Sequence, residues 1–506
     1  MTIFNGTSGN DVAISNPGGV SALSGFSGGS FAALNDAIFD LFICGAGDDT
    51  VTISNNVGRA ISGGAGKDTL HGGTADDQFN MHPGDVVAGE VLDGGGGNDT
   101  LLAQASGNYV VDFRAGSITS FEKVAMLAVD GTVVKTIFNA SQVGGGQLAA
   151  NLALQGGAFS SIEIVEFRMG SAFSVDLSAF SFLFNWGDED FVRITGDAGS
   201  ETMKGTSKND DFFGGGGTDT FIGGNGNDSY VVDSAGDVIT ELAGAAAGKD
   251  MVVSFFMSID LSKYANVEIG QVGGLVPGLN VTGTNADETL TGETNSTANV
   301  LIGKGGNDVY FAGTGDAVVD SGGAADSVKS ESIALNLFTL GNGKIEHARL
   351  NGSLALNIAG NEGVNFLVGN TAANTINAFG GNDTILGLDG NDTLTGGAGL
   401  DTFVFNTALN AASNKDAITD FTAINDVIQL DDAIFTAAGP AGTLAASAFR
   451  SGAGAVSGGD VTDRIVYNTA TGDLYYDADG NGGGAAIKFA TLSTKPAISN
   501  ADFLIA

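Results

Sequence analysis

The sequence predicts an all-β chain wound as a parallel solenoid, a β-roll or β-helix. Three observations predict it: a nine-residue repeat with glycine at set places, a large apolar residue at the eighth place of each repeat, and aspartates that recur 18 residues apart. The period is plainest where Gly214-Gly-Gly-Gly-Thr-Asp-Thr-Phe-Ile222 runs directly into Gly223-Gly-Asn-Gly-Asn-Asp-Ser-Tyr-Val231. Positions 1, 2 and 4 are glycine, position 6 is aspartate (Asp219, Asp228) and position 8 is Phe221 or Tyr230. Self-similarity at a fixed short period is the mark of a repeat architecture.

Each residue class has a physical reason to stand where it does. Glycines such as Gly215, Gly217, Gly224 and Gly226 allow positive φ angles and let backbone carbonyls converge without interference from a Cβ. The aspartate adds a carboxylate oxygen to that ring of carbonyls. Positions 7 to 9 have strand character, and because side chains alternate along a strand, position 8 points inward when 7 and 9 point out. One turn and one short strand make half a coil. Two nonapeptides complete a coil, and stacked coils pair their strands about 4.8 Å apart.

Loops two repeats apart then become vertical neighbours, so their aspartates should pair at 18 residues. Asp210 and Asp228 obey this register, as do Asp219 and Asp237, and Asp383 and Asp401. Asp237 lies in Val232-Asp-Ser-Ala-Gly-Asp237, which only the register identifies as a repeat loop. The longest run, Gly369 to Val404, holds four units with Gly381, Gly390 and Gly399 at position 4. Its first unit carries Asn374 where aspartate belongs, which weakens the expected site with Asp392. Further copies at Cys44 to Thr52, Gly63 to His71, Gly94 to Leu102 and Gly303 to Phe311 bring Asp49, Asp68, Asp99 and Asp308, and Asp77 sits in a degenerate copy. Asp-Gly and Asn-Gly sequences also make turns without any metal. That reading stays open for Asp11 and Asp77, whereas ordinary turns have no reason to hold aspartates in register.

Carboxylates and carbonyls from two loops make an all-oxygen site for a hard cation, and calcium, which takes six to eight oxygens in flexible geometry, fits better than magnesium. Composition agrees. The chain has 506 residues, 81 of them glycine, and 58 acidic residues against 20 basic, for a formal charge of −38. A compact state with that charge repels itself unless something cationic sits among the carboxylates, and nucleic acid is excluded as a partner. The 43% apolar content supplies a core and argues against disorder. Cys44 is the only cysteine, which excludes an internal disulfide and a thiolate-rich metal site. No basic-then-apolar N-terminal signal and no run of about 18 uncharged apolar residues is present.

The nonapeptide resembles the signature of the RTX, or hemolysin-type calcium-binding, proteins. The resemblance implies a right-handed parallel β-roll, several bound calcium ions, calcium-dependent folding and export through a type I secretion channel that needs no N-terminal signal. The last hundred residues, with Asp416-Ala-Ile-Thr-Asp-Phe421 and Gly472-Asp-Leu-Tyr-Tyr-Asp-Ala-Asp-Gly-Asn-Gly482, resemble the C-terminal module of secreted serralysin-type proteases. In that family an end such as Asp502-Phe-Leu-Ile-Ala506 belongs to the uncleaved secretion signal. The expected organisation is an N-terminal repeat roll (1–104), metal-poor coils of the same helix (105–204), a central repeat roll (205–404) and the C-terminal module (405–506).

Other chemistry weighs less. Gly25-Phe-Ser-Gly-Gly29 matches a nucleophile elbow, and Ser30 to Phe42 has helical spacing behind it, but about one accidental match is expected at this glycine content. His71, His82 and His347 form no His-Glu-x-x-His pair, so serralysin zinc chemistry is absent. Asp477-Ala-Asp-Gly-Asn-Gly482 imitates the start of an EF-hand loop, yet Lys488 stands where the bidentate glutamate belongs, and an acidic hairpin turn is the simpler reading. The expected function is therefore a non-enzymatic, secreted, calcium-binding structural protein of a Gram-negative bacterium. It would associate with itself in a surface layer or matrix and touch no membrane with a spanning segment. An adhesin with a glycan groove between Ser117 and Arg193 is the alternative, and a hydrolase using Ser27 is the third reading.

Overall fold

Short strands whose middle residue is large and apolar stack into parallel ladders, and this unit repeats along nearly the whole chain. The computed structural model describes residues 3–5, 9, 11–16, 19–24, 27–28, 40–54, 56–157, 160–183, 185–244, 248–292 and 297–506. Among them there are strands and short 3-10 turns and no α-helix, so the all-β prediction holds. No helix of the described residues is long and apolar enough to cross a membrane.

The chain forms two compact units, residues 1–253 with 264–267, and residues 254–263 with 268–506. The first contains two ladders from its N-terminal part. One runs from Asp40–Ala46 through Arg59–Ala65, Gln78–Met81, Thr100–Gln104 and Phe121–Leu127 to Leu148–Gln155, and the other joins Thr50–Ile53, Thr69–His71, Val91–Asp93 and Ser117–Thr119. A further pair of ladders carries Val133–Asn139, Ile162–Arg168, Phe191–Thr195, Asp210–Phe213 and Ser229–Val231 on one side. Its other side is Ser174–Asp176, Thr202–Lys204, Thr220–Ile222 and Val238–Thr240. All these pairings are parallel. Among the described residues of this unit, antiparallel pairs lie near the N-terminus, as between Val12–Asn16 and Gly19–Ser24.

The second unit repeats the plan. Its ladders include Thr289–Thr291, Val309–Phe311, Ser327–Ser330, His347–Leu350, Phe366–Val368, Thr384–Leu386, Thr402–Phe405 and Val427–Leu430, again parallel. The last coils give way to an antiparallel meander of Ile465–Asn468, Asp473–Tyr476 and Ile487–Leu492. Coils pair in parallel across the boundaries expected at 104, 204 and 404. Strands ending there pair onward, Thr100–Gln104 with Phe121–Leu127, Thr202–Lys204 with Thr220–Ile222, and Thr402–Phe405 with Val427–Leu430.

Position 8 does what its chemistry requires. Phe221, Tyr230, Tyr310, Leu394 and Phe403 are buried between two partly exposed neighbours, and Ile385 is buried beside a buried Leu386. Stacked coils bring these rings together: Phe212 lies parallel over Tyr230 with centroids 5.0 Å apart. Burying a side chain of this size contributes about 1.5–3 kcal/mol, so a line of them is the solenoid's main source of cohesion.

One expectation is corrected here. The helix expected over Ser30 to Phe42 does not extend to its end, because Asp40–Ala46 is a strand paired in parallel with Arg59–Ala65. Ser27 and Gly28 form a two-residue strand beside Ile3–Asn5. The rest of the proposed elbow, residues 25, 26 and 29–39, lies outside the described residues.

Candidate metal centres

Every loop glycine singled out in the sequence adopts a positive φ: Gly215, Gly217, Gly224, Gly226, Gly381, Gly390 and Gly399. Gly217 and Gly399 show why nothing larger fits. A Cβ on Gly217 would overlap the carbonyl oxygen of Gly199 in the neighbouring coil, and one on Gly399 would overlap that of Gly381. The glycines therefore close the loops and keep successive rings of carbonyls in contact distance.

The position-6 acids are buried without exception: Asp49, Asp68, Asp77, Asp99, Asp210, Asp219, Asp228, Asp237, Asp308, Asp383, Asp392 and Asp401, with Asn374 beside them. They form ladders of their own. Apart from Asp210, each carboxylate accepts, through one oxygen, the backbone N–H of the position-6 residue one coil earlier. Asp210 N–H donates to Asp228 Oδ1 at 2.8 Å and Asp228 N–H to Asp250 Oδ1 at 2.9 Å. Glu201 N–H donates to Asp219 at 2.8 Å and Asp219 N–H to Asp237 at 3.0 Å. Asn365, Asp383, Asp401 and Asp426 continue the pattern at 2.8, 3.0 and 3.2 Å. Asn374 and Asp392 do so toward Asp416, at 2.7 and 3.0 Å. Nearer the N-terminus the rows are Asp11, Asp49, Asp68, Glu90 and Arg59, Asp77, Asp99, Glu122. Hydrogen bonds to a charged group contribute about 1.5–3 kcal/mol each.

The second oxygen separates the acids into two groups. Oδ2 of Asp49, Asp68, Asp99, Asp219, Asp228, Asp383, Asp392 and Asp401 is buried with no hydrogen-bond partner. A buried, unpartnered carboxylate oxygen is costly unless a proton or a cation meets it. Burial accordingly pushes Asp68 up to about 6, Asp99 and Asp383 to about 7 and Glu90 to about 8. Oxygen donors facing one another across loops, with these oxygens unmet, are the donor set that suits calcium. In the second group the protein meets both oxygens. Oδ2 of Asp77 accepts Gly73 N–H at 2.6 Å, that of Asp210 accepts Thr206 N–H at 2.6 Å and that of Asp237 accepts Asp233 N–H at 3.1 Å. Oδ2 of Asp308 lies 3.4 Å from the Tyr310 hydroxyl.

Asn374 is satisfied without an ion: its Oδ1 accepts Asn370 N–H at 2.8 Å and its Nδ2 donates to Leu356 O at 2.8 Å. Arg59 holds the place of an acid in the Asp77 row. It is wholly buried, and its guanidinium favours the Asp77 carboxylate, partly offsetting the burial that raises that group.

The ladders contain acids that sequence reasoning missed. Asp326 follows Asp308 by 18 residues and accepts its N–H at 2.7 Å, a signal the register could have found. Glu201 also keeps the 18-residue spacing but is a glutamate. Glu90, Glu122, Asp190, Asp250, Glu346, Asp416 and Asp426 follow their partners by 20 to 27 residues, because inserted residues lengthen those coils. Glu163, in a coil expected to be metal-poor, donates its N–H to Asp190 at 2.8 Å.

The remaining candidates have local partners. His71 Nδ1 lies 3.3 Å from Asp93 and His82 Nδ1 3.2 Å from Asp85, while His347 packs against Phe366. Asp477 opens the turn of an antiparallel pair, where its Oδ2 accepts Gly458 N–H at 2.8 Å, and Lys488 Nζ sits 2.5 Å from Asp473.

A family model for the RTX calcium-binding nonapeptide repeat, in four copies, matches residues 60–84, 89–110, 195–230, 282–319, 293–328, 359–394 and 379–406. The chain carries RTX calcium-binding repeats. Its RTX repeats bind calcium at several sites, and the matched segments contain Asp68, Asp77, Asp99, Asp210, Asp219, Asp228, Asp308, Asp383, Asp392 and Asp401. The curated proteins contain no match to the chain.

Proposed function

We propose that this RTX chain is a type I-secreted extracellular structural protein, of a surface layer or matrix, that folds when calcium meets it outside the cell. The observation that carries the proposal is the row of buried carboxylates, each with one oxygen committed to the neighbouring coil and the other unmet. With the ion absent, these groups face one another in low dielectric and oppose the stacking that the apolar interior drives. Binding free energy is then folding free energy. A calcium-poor cytoplasm keeps such a chain extended for export, and millimolar calcium outside folds it.

Asp49, Asp68, Asp99, Asp219, Asp228, Asp383, Asp392 and Asp401, with the carbonyls of the glycine loops, are the residues we assign to the ions. Calcium would supply the positive charge between coils, while the residues themselves fix the spacing through their N–H contacts. Self-association follows from the same charge. With 58 acidic and 20 basic residues, two copies approach each other favourably only with divalent cations between them. We assign no catalytic role to the chain. Titration of the metal-free chain with calcium, followed by circular dichroism and light scattering together, tests both parts. β structure and then scattering should rise with calcium. Full β structure in chelator would overturn the folding claim, and a strict monomer at millimolar calcium would overturn the assembly claim.

A further inference from the structure

One loop in the first unit departs from the nonapeptide, and its departure concentrates charge. After the strand Val238–Thr240 the chain reaches Glu241, which occupies the position-1 place that Gly223 holds one coil earlier, since Ile222 pairs with Thr240. The loop then resumes the repeat pattern: Gly248 stacks so closely on the Gly226 carbonyl that a Cβ would overlap it, and Asp250 receives the Asp228 N–H. Glu241 turns back toward the loop below, where its Oε2 accepts Gly224 N–H at 3.3 Å.

Carboxylate oxygens of Asp228, Glu241 and Asp250 thereby come within 4.8 Å of one another. A second feature points into the same space. The Tyr230 hydroxyl and Asp228 Oδ2 are fully buried, have no hydrogen-bond partner, and together with Glu241 Oε1 converge on the spot where a Cβ of Gly223 would stand. Gly223, Gly224 and Glu241 also line a pocket of about 300 Å³, which gives an ion a way in.

We propose that Asp228, Glu241 and Asp250 form a three-carboxylate calcium site, with Glu241 as a ligand that the nonapeptide signature does not provide and Tyr230 at its inner wall. The proposal rests on the reading of the loops as calcium sites and extends it to residues beyond the matched repeat segment, which ends at 230. An ordinary loop pair offers two carboxylates to a divalent ion, and this one offers three. Ligand charge count is what tunes calcium affinity in otherwise similar oxygen sites, so this site fills before the others.

The test uses the full-length chain, titrated with calcium for ion count and with terbium for luminescence sensitised by nearby tyrosine. In the wild type one ion should bind ahead of the rest, and the first equivalent of terbium should emit. Glu241→Gln should move that first step to at least about tenfold higher calcium, and Tyr230→Phe should keep the ion count but lose most of the first-equivalent emission. An unchanged first step and count in Glu241→Gln would overturn the proposal while leaving the other loop sites intact. If Glu241→Gln fails to fold in calcium, Tyr230→Phe decides, and undiminished first-equivalent emission overturns the proposal. A wild-type chain that takes up no calcium would sink the loop reading and this one together.

Discussion

At the scale of single residues, oxygen bookkeeping divides positions that look alike in sequence. Asp383 and Asp77 both occupy position 6, yet Asp383 has one oxygen unmet, whereas both oxygens of Asp77 accept backbone N–H groups. Asp383→Asn should therefore lower the calcium count by one. Asp77→Asn should leave the count unchanged and cost about 1–3 kcal/mol, because an amide that meets one N–H with its oxygen turns an NH2 toward the other. Calcium analysis beside thermal unfolding separates these outcomes. Glycines divide in the same way. Gly399→Ala forces a positive-φ residue against a carbonyl and should cost at least about 1–3 kcal/mol. Gly483→Ala, where a Cβ meets nothing within 4 Å, should shift stability by less than about 0.5 kcal/mol in the same melts.

At the scale of the coil, a ladder is a set of coupled acids whose protonation replaces the ion. Burial raises Asp68, Asp99, Asp383 and Glu90 in the folded, metal-free chain above their ordinary range. The folded form then binds more protons than the unfolded form between pH of about 4 and about 8, so stability is present at the acid end and lost as pH rises through that window. Each group contributes at most about 1.4 kcal/mol per pH unit. In chelator the residual far-UV β signal should rise from pH 7 to pH 5. With calcium bound the ligands must be ionised, so acidification should release ions and shrink or reverse that rise. Far-UV circular dichroism at the two pH values, with and without calcium, checks the sign. Much of the coil was legible in the sequence because glycine at 1, 2 and 4 and an apolar residue at 8 each answer a local steric or hydrophobic demand. The longer coils were not. Asp250, Asp416 and Asp426 keep the ladder after insertions that break the 18-residue spacing, and only the stacked strands show which acid meets which.

At the scale of the whole molecule, cohesion comes from two sources that respond differently to conditions. The buried lines of Phe, Tyr, Leu and Ile side chains act at any calcium concentration, while the ladders act only when their charge is answered. Chelation should therefore remove most far-UV β signal from the chain, and calcium should restore it cooperatively at millimolar or lower concentration. A Glu241→Gln chain should need more calcium for its first step only. The Arg59 row should respond least, since a buried guanidinium already stands among its acids. Replacing Arg59 with Met should cost about 3–5 kcal/mol, the range for removing one partner of a buried pair, and thermal melts in saturating calcium should show the loss.

The sequence by itself determined the nonapeptide, the inward place of its eighth residue and the kind of ion its oxygens suit, because steric, hydrophobic and ligand-type constraints act on residues close together in the chain. Only the tertiary structure decided which acids share a ladder, which of their oxygens the backbone already satisfies and where Glu241 turns back into the coil below. Those outcomes depend on how each coil's length places its loop over the last, and inserted residues change that length without leaving a periodic trace.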